Sequence, residues 1–212
     1  MTSAVIERRT QAARSAATRE RLLDATIDCL VELGWAGTST TEVVRRAGVS
    51  RGAQVHHFPS KEDLVLAAVE HLVDRRIDEY QAAFAQMAPG ERTVGAAFDL
   101  LWANYQSDTF DAWIEFAIAA RTDPALHARF VELERHIHET NLDIFTGMFP
   151  ETNADPEFAR VGLAFATAML DGMALSRICG VEPHRIDEVR EIFKLVVAPY
   201  FPLSTPPEGA PQ

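Results

Sequence analysis

A chain of 212 residues with 20 Lys/Arg, 31 Asp/Glu and a formal net charge of −11 suits one domain, or a small domain fused to a larger one, with a real buried core. Its two cysteines, Cys29 and Cys179, lie far apart in apolar patterns and read as reduced, buried thiols rather than a disulfide framework. No apolar h-region accompanies the N-terminal arginines, and the longest apolar run, Val161 to Leu170, stops at Asp171, too short to span a bilayer, so the chain reads as cytoplasmic with no membrane partner.

The charge is not spread evenly. Residues 1–61 hold nine Lys/Arg against six Asp/Glu, whereas residues 62–212 hold eleven against twenty-five. A basic head on an acidic body points to a polyanionic partner for the head. Arg8, Arg9 and Arg14 read as a basic arm, either solvated or reaching into a minor groove. The apolar face of Leu22, Leu23, Ala25, Ile27, Leu30 and Leu33 predicts a helix ending at Gly34. Ser39 and Glu42 form a capping box, so a second helix follows them and stops at Gly48. Ser50 caps a third helix, Arg51 to about His57, and Ser60 with Asp63 opens a long fourth one reaching about Met87. Further helices are predicted at 91–106, 109–121, 124–149, 155–179 and 184–200, bordered by Pro89-Gly90, Pro124, Pro150, Gly180 and Pro183. No alternating segment argues for a strand, so the expectation is an all-α chain of about nine helices. Four prolines mark residues 202–212 as a disordered tail.

Two short helices joined at Gly48-Val49 are a helix-turn-helix arrangement. Gly48 tolerates the positive φ that the turn needs, and Val49 and Phe58 act as apolar pins. The start of the second short helix is then free to enter a groove, where Gly52 and Ala53 allow close backbone approach and Arg51 reaches a guanine edge or a phosphate. The residues expected against duplex DNA are Ser39, Thr40, Arg45, Arg46, Ser50, Arg51, Gly52, Ala53, Gln54, Val55, His56, His57 and Lys61. Lys61 opposes the dipole of its own helix, a placement that a phosphate partner would explain.

The stretch TSTTEVVRRAGVSRGAQVHHFPSKEDL, Thr38 to Leu64, resembles the DNA-binding segment of tetracycline-repressor (TetR) type transcription regulators. The resemblance covers roughly residues 15–70 in spacing, turn and caps together, and the all-helical remainder suits the same family. It implies a helix-turn-helix head over 1–60, a ligand-sensing and dimerisation body over 61–201, and a homodimer on a palindromic operator. It also implies repression relieved by an unknown small apolar or amphipathic effector, which tilts the helix from Lys61 and respaces the two recognition helices. Two departures stand out. Gln54 and Val55 occupy the place of the usual aliphatic-tyrosine pair, leaving open which of them faces DNA, and Val44 stands where alanine is common.

Other constellations carry less. Glu132/His136 and Glu134/His138 are i,i+4 pairs on separate helix faces, which reads as polar pairs facing solvent rather than a metal site. His56-His57 has no accompanying nucleophile or acid motif, and there is no P-loop, dinucleotide fingerprint or HExxH. No enzyme activity, cofactor or metal is expected. Trp102, Tyr105, Phe110, Trp113 and Phe116 are either plain core or, with Phe145, Met148, Phe165 and Met169, the lining of an effector cavity in which Glu115, Arg121 or Asp171 orients the ligand. Ala164, Ala168, Gly172 and Ser176 recur every four residues, and Ile186, Val189, Phe193, Val196 and Tyr200 form a seam on the last helix. Both stripes can pack within one chain or build a four-helix dimer interface; the dimer reading takes Ala164, Ala168, Gly172, Ser176, Val189, Phe193 and Val196 as its contacts.

Overall fold

The computed structural model describes residues 2–149 and 156–197. Among them every regular element is helical: α1 (Thr2–Gly37), α2 (Thr40–Ala47), α3 (Arg51–His57), α4 (Lys61–Gln86), a 3-10 turn at Pro89–Glu91, α5 (Val94–Tyr105), α6 (Asp108–Ala120), α7 (Pro124–Met148), α8 (Pro156–Ile178) and α9 (Pro183–Val197). Tyr200 and the tail 202–212 lie outside the described residues.

The residues form two compact units, and the division does not fall near residue 60. The first unit runs to Arg75 and takes in Asp108–Leu133; the second holds Arg76–Ser107 and the chain from Glu134. Helix α6 and the start of α7 therefore belong with the helix-turn-helix.

In the first unit α1 packs on α2, α3 and α6. Its apolar face does what its spacing predicts: Leu22, Leu23, Cys29 and Leu30 are fully buried. The helix starts earlier than its apolar face. Residues 2–21 are helical, so the basic arm is a helix extension, with Arg14 exposed and the side chains of Arg8 and Arg9 outside the description. At Gly34 the helix breaks, with φ 66° and ψ −179°, and resumes for a final turn. That conformation favours glycine, and space does too, because a Cβ there would lie 2.9 Å from Glu115 Oε2. Glu115 reaches the break from α6 and accepts the Trp35 backbone N–H at 2.7 Å. Lys61 donates from the start of α4 to the Trp35 carbonyl at 2.6 Å, with its ammonium 4.2 Å from the Trp35 ring centroid. Trp35, itself 6.1 Å from the Phe116 ring, is thus held on both sides of its backbone.

In the second unit α8 packs on α5 and α9. Tyr80, Phe84, Ala97 and Phe149 make a buried cluster, with Leu101, Ile144, Phe145 and Met148 packed around it. Phe193 of α9 stacks on Phe98 of α5 with centroids 4.1 Å apart, and Lys194 ties the same two helices through Asp99 at 3.1 Å.

Candidate nucleic-acid interface

Local chemistry explains the shape of the helix-turn-helix. Ser39 caps α2 by accepting from the Glu42 N–H, and Gly48 ends it at φ 62° with its own N–H returned to the Val44 carbonyl. The capping box is only half made. The Glu42 carboxylate turns away from Ser39 to Arg45 and to Arg46, at 2.5 and 2.8 Å. Hydrogen bonds from Arg45 and then Arg46 hold Glu42 down at about 2, so it stays ionised at any ordinary pH. Arg46 also reaches Glu32 on α1 at 2.7 Å and is well covered, so its guanidinium serves chiefly to fasten α2 to α1. Arg45 remains exposed.

Ser50 caps α3 by accepting from the Ala53 N–H at 3.1 Å. Phe58 is buried as the expected pin, with Arg19 above its ring at 5.6 Å, and Val49 is half-buried. The outward face of α3 is Arg51, Gly52, Val55 and His56, with Ala53 and His57 at its margins. Arg51 leans back and donates to the Thr40 hydroxyl on α2. Ser60 and Asp63 make the complete reciprocal box at the head of α4, and Arg129 adds an ion pair to Asp63 at 2.9 Å.

Two expected DNA contacts have other roles. Gln54 is fully buried and cannot face DNA. Its amide donates to the Phe58 carbonyl, closing the end of α3, while Val55 stands outward. Lys61 is committed to the Trp35 carbonyl and ring, so the cation that opposed its helix dipole is explained by the end of α1 rather than by phosphate. Sequence reasoning flagged Glu115 as a polar residue among apolar neighbours but gave it a ligand. Its partner lies 80 positions away, and no local pattern announces that.

The expected ligand set divides between the units. Phe110, Trp113 and Phe116 form an aromatic train with Phe130 in the first unit, at centroid separations of 5.3 to 5.8 Å. Trp102, Tyr105, Phe145, Met148, Phe165 and Met169 belong to the second. Trp102, Phe110 and Phe116 are buried, and Phe165 is exposed on α8. The second unit holds a groove of about 590 Å³ lined by Phe84, Arg92, Thr140, Asp143, Ile144 and Met148 among others. Met148 is its one member from the expected set. Beyond it, Tyr105 donates a hydrogen bond to Asp171, whose carboxyl is raised to about 6 by burial, a rise that the neighbouring charge of Glu134 adds to. Arg121 is exposed, and Glu115 is occupied at Trp35.

Of the expected interface residues, Ala164, Ala168, Gly172, Val189 and Val196 are exposed and Ser176 is half-exposed. Phe193 is not available. It is buried against Phe98 within its own chain. Phe158, Val161, Phe165, Leu175 and Ile178 on α8 and Ile192 and Leu195 on α9 extend the exposed apolar surface. Helix α8, counted whole rather than as an uninterrupted run, is long and apolar enough to cross a membrane by length and composition, with a mean hydropathy of 1.4 in its most apolar stretch.

A two-helix element with a glycine turn, a capped second helix and an outward basic-and-small face defines a helix-turn-helix DNA-binding protein. A family model for "Bacterial regulatory proteins, tetR family" matches residues 22–68. The HTH-type transcriptional regulator CymR of Pseudomonas putida is 32% identical over 87% of this chain and 91% of its own length. The regulator BetI of Rhizobium meliloti is 26% identical over 80% of this chain and 82% of its own. The crystal structure of a transcriptional regulator from Rhodococcus sp. Rha1 superposes with a TM-score of 0.67 at 28% identity, covering 84% of this chain and 95% of that one. The chain belongs to the TetR family of bacterial transcriptional regulators.

Proposed function

We propose that this regulator is a cytoplasmic, homodimeric repressor that occupies a palindromic operator and leaves it when a small apolar or amphipathic effector binds the second unit. The observation that carries the DNA part is α3. Its outward face offers Arg51, Gly52, Val55 and His56, while Gln54 and Phe58 anchor the opposite side in the first unit. Arg45, exposed on α2, and Ser39, Thr40, Ser50, Ala53 and His57 complete the surface turned to the duplex. The apolar surface of α8 and α9 supports a second copy as the partner there. Ala164, Ala168 and Gly172 let a facing helix approach closely, and a two-fold axis matches a palindrome. A bilayer fits less well, because Asp171 and Arg160 put charge within α8.

The groove and the Tyr105–Asp171 pair support the effector reading: an apolar floor at Phe84, Ile144 and Met148, and a buried carboxyl able to meet a donor. Helix α4 has residues in both units, so an effector that favours a different tilt of α4 would respace the recognition helices. The test is selection of bound sequences from random duplex DNA by the purified chain, followed by binding across a salt series. A palindromic consensus, bound far more tightly than random DNA and weakening steeply with salt, is the expected result. Equal affinity for selected and random DNA at moderate salt overturns the operator reading. Operator binding that no small molecule from a metabolite panel releases overturns the effector part alone.

A further inference from the structure

We infer that Val55 reads a thymine methyl group in the operator half-site, and so makes a thymine obligatory at one position of each arm. This rests on the reading of α3 as the recognition helix.

The warrant is an inverted pattern. Residues 54 and 55 are adjacent, yet the polar one is inside and the apolar one outside. Gln54 is fully buried with its Oε1 accepting no hydrogen bond, whereas Val55 is 47% exposed. The buried amide of Gln54 closes α3 at the Phe58 carbonyl, whereas a valine left half in water brings the free protein little apolar burial. A single exposed apolar side chain is ordinary on most surfaces. Val55 differs by position. At about 100° per residue, Arg51, Val55, Gly52 and His56 span a face roughly 140° wide, with Val55 and Gly52 in its middle. Glycine beside it has no side chain to shield it, and Arg51 is turned back toward Thr40.

The chemistry then selects the base. Valine has neither donor nor acceptor, so it gains nothing from the polar edges of guanine, adenine or cytosine and leaves them unpaired. The one apolar group on a base edge in the major groove is the C5-methyl of thymine. Specificity at this position comes from apolar contact, where the commoner tyrosine of the resembled segment would offer a hydroxyl.

The experiment replaces each thymine of the selected operator, one at a time, with deoxyuridine, which removes the methyl and nothing else. Binding of the full-length wild type and of Val55→Ser is measured on every duplex. At one symmetric pair of positions the wild type should lose about fourfold affinity per half-site, the worth of one buried methyl-sized group. Val55→Ser should bind the thymine and deoxyuridine duplexes equally there, with an unchanged melting temperature because the side chain is exposed. A consensus without an invariant thymine, deoxyuridine duplexes that bind as tightly as the parent, or a penalty that survives in Val55→Ser each overturn the inference while leaving the operator reading intact. Failure to select any site overturns the operator reading instead.

Discussion

Helix α3 and the pair α8–α9 both leave unusual surface in contact with solvent, but of opposite kinds. On α3 the outward positions are Arg51, Gly52, Val55 and His56, held in place by one buried aromatic and one buried amide. On α8 and α9 they are Val161, Phe165, Leu175, Ile178, Ile192 and Leu195, with small residues between them. Cationic and small groups ask for a partner that is charged and deeply grooved. A broad apolar surface with a row of small side chains asks for another helix. The two surfaces therefore predict two different failures.

The largest expected effect is at Gly172. A Cβ there meets nothing within 4 Å in its own chain, so Gly172→Leu leaves the monomer sterically free and gains helix propensity. Its bulk should instead push a facing copy away. Sedimentation should show dimers dissociating, and operator affinity should fall on the order of 100-fold as the two half-sites lose their linkage. A wild type that sediments as one species near 23.5 kDa at micromolar concentration would mean that no second copy covers α8 and α9.

Next come the two cations that the sequence places against DNA, Arg51 at a base edge or phosphate and Lys61 at a phosphate. Arg51→Ala should cost roughly 1–3 kcal/mol of operator binding and relax base preference at one position, without lowering the melting temperature. Lys61→Ala should do the reverse. Loss of its bond to the Trp35 carbonyl removes about 1–2 kcal/mol of stability, while the salt dependence of DNA binding stays the same. A shallower salt slope in Lys61→Ala would return that lysine to the phosphate backbone.

The smallest effect is a pH dependence in the second unit. Asp171 is raised to about 6 in the fold from an ordinary value of 3.8, so the folded chain favours the protonated carboxyl. Its contribution is intact below pH 4 and is lost as pH rises through 6. Asp171→Asn should therefore melt higher than wild type at pH 7.5, with the two curves converging near pH 4. Parallel curves across that range would remove the buried carboxyl from the argument.

Much of this was legible in order along the chain, because it depends on neighbours. Capping serines, helix-ending glycines and a period near 3.6 placed α2, α3 and the start of α4 to within a residue or two, and Thr38 to Leu64 carried the family resemblance. The row Ala164, Ala168, Gly172 was visible as spacing, which left open whether it packs within the chain; the fold leaves it exposed. Its neighbour Phe193 was not separable from that surface by period alone, since a helix with apolar groups on two sides does not say which side meets its own core. The stack on Phe98 of α5 decided it.

Long-range pairing decided the rest. The local pattern admits either order of Gln54 and Val55; in the fold Gln54 is the one inside, its amide bonded to the Phe58 carbonyl, and Val55 stands outward. Lys61 finds Trp35 across 26 positions and Glu115 finds it across 80, because a broken helix at Gly34 exposes an unpaired N–H and carbonyl that must be satisfied. Hydrogen-bond demand and apolar period are written in sequence; which distant group answers the demand is settled only when the helices pack.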